Sequence, residues 1–348
     1  MRVLLTGGAG FIGGHVLRRL LERHHEVRIL DSLRPDVHHG RAFEAPDGVE
    51  MIVGDVRDEA VVRPSLDGID AVIHLAAKVG LGVDVHDLPD YASTNDAGTA
   101  VLLSAMATAD VTRLTLASSM VVYGEGRYEC REHGVVPAPP RQHDDLAAGR
   151  YEPRCPVCDL DLVPSAVPEG APVDPRNVYA ATKLHQEHLC HAYAREHGAS
   201  TIALRYHNVY GPRMPRNTPY AGVASIFRSA AEAGRAPQVF EDGGQRRDFV
   251  HVHDVARANV AALHAEPKID GPFNVCTGHP HTVLEMAVAL TAAVGGSSPP
   301  PEVVGGGRLG DVRHVFASSE RARSVLGFEA TVGFVEGMAG FAQAELRP

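Results

Sequence analysis

Residues 6–13, Thr-Gly-Gly-Ala-Gly-Phe-Ile-Gly, constrain this chain more than any other segment. Arg2–Thr6 reads as a strand and Phe11–Arg23 as a helix, so the glycines occupy a strand-to-helix turn. Gly7, Gly10 and Gly13 are spaced G-x-x-G-x-x-G. Such a turn lets the backbone approach a pyrophosphate, and the first amides of the helix attract its charge. Gly7, Gly10, Phe11, Ile12 and Gly13 are therefore expected to hold a dinucleotide. Asp31 ends the next apolar run, where a carboxylate accepts both hydroxyls of an adenosine ribose. It would repel a 2′-phosphate, which favours NAD over NADP, with Arg34 near enough to temper the preference. Asp55 and Val56, after the third strand, read either as an adenine-edge contact or as a solvated turn.

The apolar runs Glu26–Leu30, Met51–Gly54, Ala71–Leu75, Arg113–Ser118 and Thr201–Arg205 read as further strands. Helical patterns lie between them at Glu59–Leu66, Asn95–Ala107 and Tyr179–His197. Continuous rather than alternating apolar strands predict an α/β fold, a doubly wound parallel sheet covered on both faces. After Gly211 the spacing becomes irregular, with helices expected at Gly222–Ala233, Asp254–Ala265, Val283–Val294 and Ser319–Leu326. Residues 1–210 are read as the dinucleotide domain with an insertion at 125–177. Residues 211–348 are read mainly as a smaller α/β substrate domain, with segments returning to the first.

Composition narrows the partners. The 33 Lys+Arg against 43 Asp+Glu give a formal charge of −10, which argues against nucleic acid and membrane surfaces. No apolar run approaches the ~18 residues of a membrane span, and the first residues lack the form of a signal peptide. A cytoplasmic location is expected, and five cysteines in such a chain do not suggest a disulfide framework.

Tyr179 and Lys183 stand at i and i+4, on one helix face. A phenol titrates near ~10, so it is a poor base at neutral pH unless a cation favours the phenolate. Lys183, with the cofactor's nicotinamide charge, is expected to lower it by about three units. The phenol could then exchange a proton with a substrate hydroxyl during hydride transfer. Ser118 and Ser119 close the fifth strand at the mouth of the cleft, where a hydroxyl can bond the reacting oxygen.

Further motifs occur in order: Asp55-Val56-Arg57-Asp58, His74-Leu75-Ala76-Ala77, Asn95-x-x-Gly98-Thr99, Ser118-Ser119-x-x-Val122-Tyr123-Gly124, Tyr179-x-x-x-Lys183, Arg205-Tyr206-x-Asn208-Val209-Tyr210-Gly211-Pro212 and Arg247-Asp248-Phe249-Val250-His251-Val252. With the glycine turn and Asp31 they resemble an extended short-chain dehydrogenase/reductase of the nucleotide-sugar epimerase/dehydratase family, across nearly the whole chain except the insertion. The resemblance implies a Rossmann-type sheet, tightly held NAD, and a homodimer through the Asn95–Ala107 and Tyr179–His197 helices. It implies Ser119, Tyr179 and Lys183 as the catalytic set. Leu75, Ala76, Ala77, Asn95, Ser118, Tyr179, Lys183 and Tyr206 would contact the cofactor, and Asn208 the substrate pyrophosphate.

Dehydratases of the family carry Asp-Glu after the catalytic hydroxyl, and decarboxylases tend to carry Glu; here Met120 and Val121 follow it, and neither moves a proton. The expectation is 4-epimerisation of a nucleotide-diphosphate sugar, a dTDP- or UDP-hexose or 6-deoxyhexose. A 4-keto-sugar reductase is the alternative enzyme, and a non-catalytic dinucleotide sensor the alternative class. Arg213, Arg247 and Arg308 are candidates for gripping the diphosphate, or are solvated surface residues; Asp311 closes the Arg308-Leu-Gly-Asp segment. The run Val79–Val83 either brings backbone near the sugar or is a plain loop.

The insertion needs its own explanation, because nine of the 24 prolines lie in Pro137–Pro175 and forbid a long helix. Cys130-x-x-His133 and Cys155-x-x-Cys158 form two two-residue knuckles. They match a closed, structural Cys₃His zinc site, worth roughly 10–16 kcal/mol to a segment without a core. A redox Cys155/Cys158 pair or incidental cysteines in an unstructured loop are the other readings. Cys190 and Cys276 read as packing residues.

Overall fold

The computed structural model describes residues 1–38, 43–80, 85–216, 222–266, 269–295, 298–307 and 311–347. Seven strands form the main sheet: β1 (Arg2–Thr6), β2 (Glu26–Asp31), β3 (Glu50–Val53), β4 (Ala71–His74), β5 (Arg113–Ser119), β6 (Ser200–Tyr206) and β7 (Gly271–Val275). Their order is β7-β6-β5-β4-β1-β2-β3, and every pairing is parallel. The helices that cover it are α1 (Phe11–Glu22), α2 (Glu59–Ser65), α3 (Gly98–Thr108), α4 (Val178–His197) and α5 (Val252–Leu263).

Alternation along each strand sorts the core into two layers. Val3, Leu5, Ile29 and Ile73 meet Val16 and Leu20 of α1 and Val260 of α5. Leu4, Leu30, Val72 and Leu114 face the other way, onto Val62 of α2, Leu102 and Met106 of α3, and Tyr193 of α4. Both faces are dry, which is why the strands are continuously apolar. β1 lies between β2 and β4, so the order reverses there and opens a crevice at the strands' carboxyl ends.

Helices at Val223–Glu232, Val283–Val294 and Phe334–Gln343 build a second core from Phe227, Met286, Leu290, Met338 and Phe341. The chain does not stay in that second unit: α5 and β7 return to the main sheet. β7 and the Phe334–Gln343 helix were not foreseen from the sequence. The expected Asn95–Ala107 helix is also different. A π-helical turn occupies Ala92–Ala97 and the α-helix begins at Gly98.

The insertion is ordered. Arg127–Cys130 pairs antiparallel with Gly134–Val136 and with Val163–Ser165, and its one helix is the short His143–Ala147. Cys190 and Cys276 are buried, as packing residues would be. Among the described residues, no helix is long and apolar enough to cross a membrane.

Candidate active site

The glycine turn is held by contacts that no side chain could tolerate. Gly7 has φ +70, and a Cβ there would lie 2.7 Å from the Ala76 nitrogen. A Cβ on Gly13 would lie 2.1 Å from the Gly7 carbonyl oxygen. α1 therefore starts close against β1 and β4, and it starts without a side-chain cap at Gly10. Its first amides have no partner within the helix, so they form a cradle for an anion.

A cavity of about 460 Å³ opens above this turn at the strand ends. Of the residues expected to hold cofactor, Gly7, Gly10, Phe11, Ile12, Gly13, Asp31, Asp55, Val56, Leu75, Ala76, Ala77, Ser118, Tyr179, Lys183 and Tyr206 line it. The Asp31 carboxylate is fixed by the amides of Ala9 (3.0 Å) and Leu33 (2.9 Å). Arg34 is engaged by Asp36 and Asp90, so it does not offset Asp31. Asp55 takes the Arg57 guanidinium. These residues fit a dinucleotide: a cradle that a Cβ would fill, uncapped amides, and a carboxylate beyond them.

Asn95 does not reach the cavity. Its Oδ1 accepts from the Lys78 amide (2.8 Å), and its Nδ2 donates to the Lys78 carbonyl (3.0 Å) and Thr182 Oγ1 (2.9 Å). It is a positioning residue, turned inward by the π-helical turn, that ties the segment after β4 to α4. The π register is a common device for aiming one residue off the regular helix face.

The catalytic candidates converge at the mouth. Ser119 ends β5 in register with Tyr206 of β6. The Asn177 carboxamide caps α4 by accepting from the Ala180 amide (2.8 Å), which places Tyr179 in the first turn. Lys183 Nζ lies 5.9 Å from the Tyr179 ring centre and donates to the Ala117 carbonyl (2.9 Å). Ser118 donates to Glu187, which also holds Arg205. Its hydroxyl is thus committed to Glu187, whereas the Ser119 hydroxyl faces Tyr179, beside the reacting oxygen's expected place.

The electrostatics of the chain by itself favour the protonated phenol. Burial pushes the Tyr179 phenol up to about 12, and a hydrogen bond with Ser119 offsets this only in part. Burial also pushes the Lys183 ammonium down, to about 8. Helical spacing brought the two side chains near each other, but both sit in protein rather than water, where the charged form of each is disfavoured. The chain's own groups thus leave the phenol protonated. A cation added by cofactor is needed to favour phenolate. His74, between Thr6 and Thr99, is likewise held neutral, its imidazole pushed down to about 3 by burial.

The expected substrate residues are only partly assembled. Val79, Ser119 and Asn208 line the cavity. Val79 and Gly80 are pinned through their carbonyls by the Tyr91 hydroxyl. The Asn208 Oδ1 is buried with no partner among the described residues. Arg213, Arg247 and Asp311 do not line this cavity. The Arg247 guanidinium donates to the carbonyls of Arg246, Val312 and Arg313, and Asp311 accepts from Arg141 through its carbonyl. Arg308 and the stretch 81–83 lie outside the described residues. Sequence reasoning missed His38 and Arg347, which also line the cavity, since neither belongs to a recognisable spacing.

The zinc candidates do come together. One ligand atom from each of Cys130, His133, Cys155 and Cys158 lies within 4.8 Å of the others. Cys130 Sγ is 3.4 Å from His133 Nδ1 and 3.5 Å from Cys158 Sγ, and all five cysteines are free.

A parallel sheet with a glycine cradle at its switch point, faced by Tyr179, Ser119 and Lys183, defines a dinucleotide-using enzyme. The model of the NAD dependent epimerase/dehydratase family matches residues 3–153 and 163–276, and the chain belongs to that family. The break in the match, residues 154–162, contains Cys155 and Cys158. The dTDP-L-rhamnose 4-epimerase of Burkholderia thailandensis is 32% identical over 334 residues, covering 94% of this chain and 90% of that protein. The UDP-glucose 4-epimerase of Mycolicibacterium smegmatis is 33% identical over 351 residues, covering 97% and 96%. Among solved structures, the UDP-glucose 4-epimerase of Thermotoga maritima with UDP-glucose superposes with a TM-score of 0.79 at 28% identity, over 99% of this chain and 98% of that one. The Thermus thermophilus UDP-glucose 4-epimerase in complex with NAD gives 0.75 at 30% identity, over 98% of each.

Proposed function

We propose that this protein is an NAD-dependent nucleotide-diphosphate-sugar 4-epimerase, acting on a dTDP- or UDP-hexose or 6-deoxyhexose. The observation that carries the reading is the convergence of Tyr179, Ser119 and Lys183 on one cavity, with Met120 and Val121, neither an acid nor a base, following the serine. When bound, NAD supplies a reversible two-electron acceptor for the sugar C4. Tyr179 takes the proton of the 4-hydroxyl and later returns it, Ser119 hydrogen-bonds the same oxygen, and Lys183 provides positive charge from its anchor on Ala117. With Met120 and Val121 in place of an acid-base pair after Ser119, elimination from the 4-keto sugar is disfavoured. The keto sugar instead turns over in the site and is reduced on its other face. Arg213 and Arg308 stay the candidates for the diphosphate, whereas the Arg247 guanidinium is committed to backbone carbonyls; a homodimer through α3 and α4 is proposed for the assembly, and the cytoplasm for the location.

Purified protein incubated with UDP- and dTDP-hexoses, without added cofactor, is expected to interconvert C4 epimers on chromatography. Turnover that needs stoichiometric NADH or NADPH would instead mark a ketoreductase. Lys183 sets an expected pH limit. Its ammonium, with a pKa lowered to about 8, is charged below that pH and neutral above it. The kcat/KM is expected to fall as pH rises past about 8; a profile still rising at pH 9 would contradict this role.

The same reading includes a structural zinc ion on Cys130, His133, Cys155 and Cys158. Zinc–sulfur bonds near 2.3 Å and zinc–nitrogen bonds near 2.0 Å put tetrahedral ligands about 3.5–3.8 Å apart. Cys130 Sγ to His133 Nδ1 (3.4 Å), Cys130 Sγ to Cys158 Sγ (3.5 Å) and Cys155 Sγ to His133 Nδ1 (3.7 Å) lie close to that range. The Glu132 amide also points at Cys130 Sγ (3.4 Å), as a donor to a thiolate would. Elemental analysis is expected to find one zinc per chain, and Cys155→Ser to lose it along with much of the thermal stability. A zinc-free wild-type protein would remove the metal from the account.

A further inference from the structure

Arg347 is separated from the glycine turn by almost the whole chain, yet it ends on it. The segment that carries it is built in two directions. Towards the second core, Leu346 is buried beside Phe341 and Met214. Towards the cavity, the segment pairs with residues 213–216: the Arg213 amide donates to the Glu345 carbonyl (2.7 Å), the Arg347 amide to the Met214 carbonyl (3.1 Å), and the Arg216 amide to the Arg347 carbonyl (2.8 Å). Met214 and Pro215 line the cavity wall. Three backbone hydrogen bonds and a buried leucine fix the direction in which the Arg347 side chain leaves.

That side chain crosses to the Rossmann unit. Its guanidinium donates to the Ala9 carbonyl (3.1 Å), inside the glycine turn, and to His38 Nδ1 (2.7 Å). The other nitrogen of His38 is 3.6 Å from the Asp31 carboxylate. Arg347, His38 and Asp31 all line the cavity, on the side where Asp31 would meet the adenosine ribose. No carboxylate forms an ion pair with Arg347 among the described residues, so its charge is not cancelled by a contact. A planar cation with several fixed donors suits phosphate and ribose oxygens.

We propose that Arg347 is a cofactor-holding residue, a clasp from the second unit that closes on the adenosine half of the dinucleotide and keeps it bound through the reaction cycle. The inference rests on the reading of the cavity as an NAD site. It adds a ligand that the glycine motif does not contain, and it explains why the segment 345–347 should be tied both to the second core and to the cavity wall. An enzyme that returns its cofactor to the starting oxidation state in each cycle gains from slow release.

The test uses the holoenzyme. NAD content after purification and the rate of NAD release on dilution are measured for the wild type, Arg347→Ala and Arg347→Lys, alongside the melting temperatures of the NAD-bound and NAD-stripped proteins. Arg347→Ala is expected to release NAD about tenfold faster, equivalent to one lost charge-assisted contact. Because the Ala9 and His38 contacts are also lost, the stripped variant should melt somewhat lower than the stripped wild type, and the NAD-bound variant should lose more than that. Arg347→Lys, which keeps the charge and loses the fork, should fall between. Unchanged release in Arg347→Ala overturns the proposal. So does faster release with an equal drop in melting temperature of the stripped and the NAD-bound protein, which would mean structural support only. Loss of NADP binding with unchanged NAD release would overturn it in favour of a 2′-phosphate ligand. A wild-type protein that neither carries nor takes up dinucleotide would refute the site itself, which is a separate result.

Discussion

Tyr179→Phe is expected to lower kcat for epimerisation on the order of 10²–10⁴-fold. The substitution removes one oxygen and keeps the ring, so the packing at the start of α4 is preserved. The missing oxygen is the one group placed both beside Ser119 and within one helical turn of Lys183. NAD content is expected to stay at the wild-type level, because the cradle is formed by Gly7 to Gly13 and the phenol is not part of it. Steady-state kinetics and the absorbance of released dinucleotide measure the two quantities separately. A variant that keeps activity within tenfold of the wild type would show that the proton leaves by another route.

The second large effect concerns the turn. In Gly13→Ala the new methyl would meet the Gly7 carbonyl oxygen at 2.1 Å and the Gly8 Cα at 2.8 Å, and both are backbone atoms that cannot swing aside. The turn must open, at a cost of about 1–3 kcal/mol, and its amides lose their aim. NAD affinity is expected to drop by at least about tenfold. The neighbouring residue supplies the control. Gly14 has nothing within 4 Å of its Cβ position. Gly14→Ala is expected to leave NAD binding intact and to stabilise α1 by about 0.5–1 kcal/mol through helix propensity. Denaturant unfolding and NAD titration of both variants check the pair. Equal behaviour of the two would contradict the packing argument.

The dinucleotide half of the fold was legible because its signals are local. A strand buried on both faces reads as an apolar run, and a turn that must touch a phosphate reads as glycine. β7 was not legible. It begins with Gly271-Pro272 and pairs with β6, so its place depends on a partner some seventy residues earlier. The π-helical turn at Ala92–Ala97 has no periodicity of its own, so the resemblance that gives Asn95 to the cofactor carries no sign that it turns to the Lys78 backbone. Spacing alone put Tyr179 beside Lys183, but it carries no information on the burial that moves both groups away from their charged forms. The diphosphate arginines show the same limit. Arg247 carries a family motif, yet its guanidinium is shared among three carbonyls away from the cavity described above. The cysteine knuckles were readable because a metal site needs only short spacings. Arg347 was not, because everything it touches is distant in sequence.

The central claim, that C4 is oxidised and re-reduced within one site without loss of cofactor, is tested most directly by isotope retention. A nucleotide-diphosphate hexose carrying deuterium at C4 would be incubated with the purified protein and no added dinucleotide, and both epimers examined by mass spectrometry. The account predicts that the epimer forms with its C4 deuterium retained, and that Tyr179→Phe forms none. Deuterium lost to solvent, or an epimer that appears only when reduced cofactor is supplied, would contradict it.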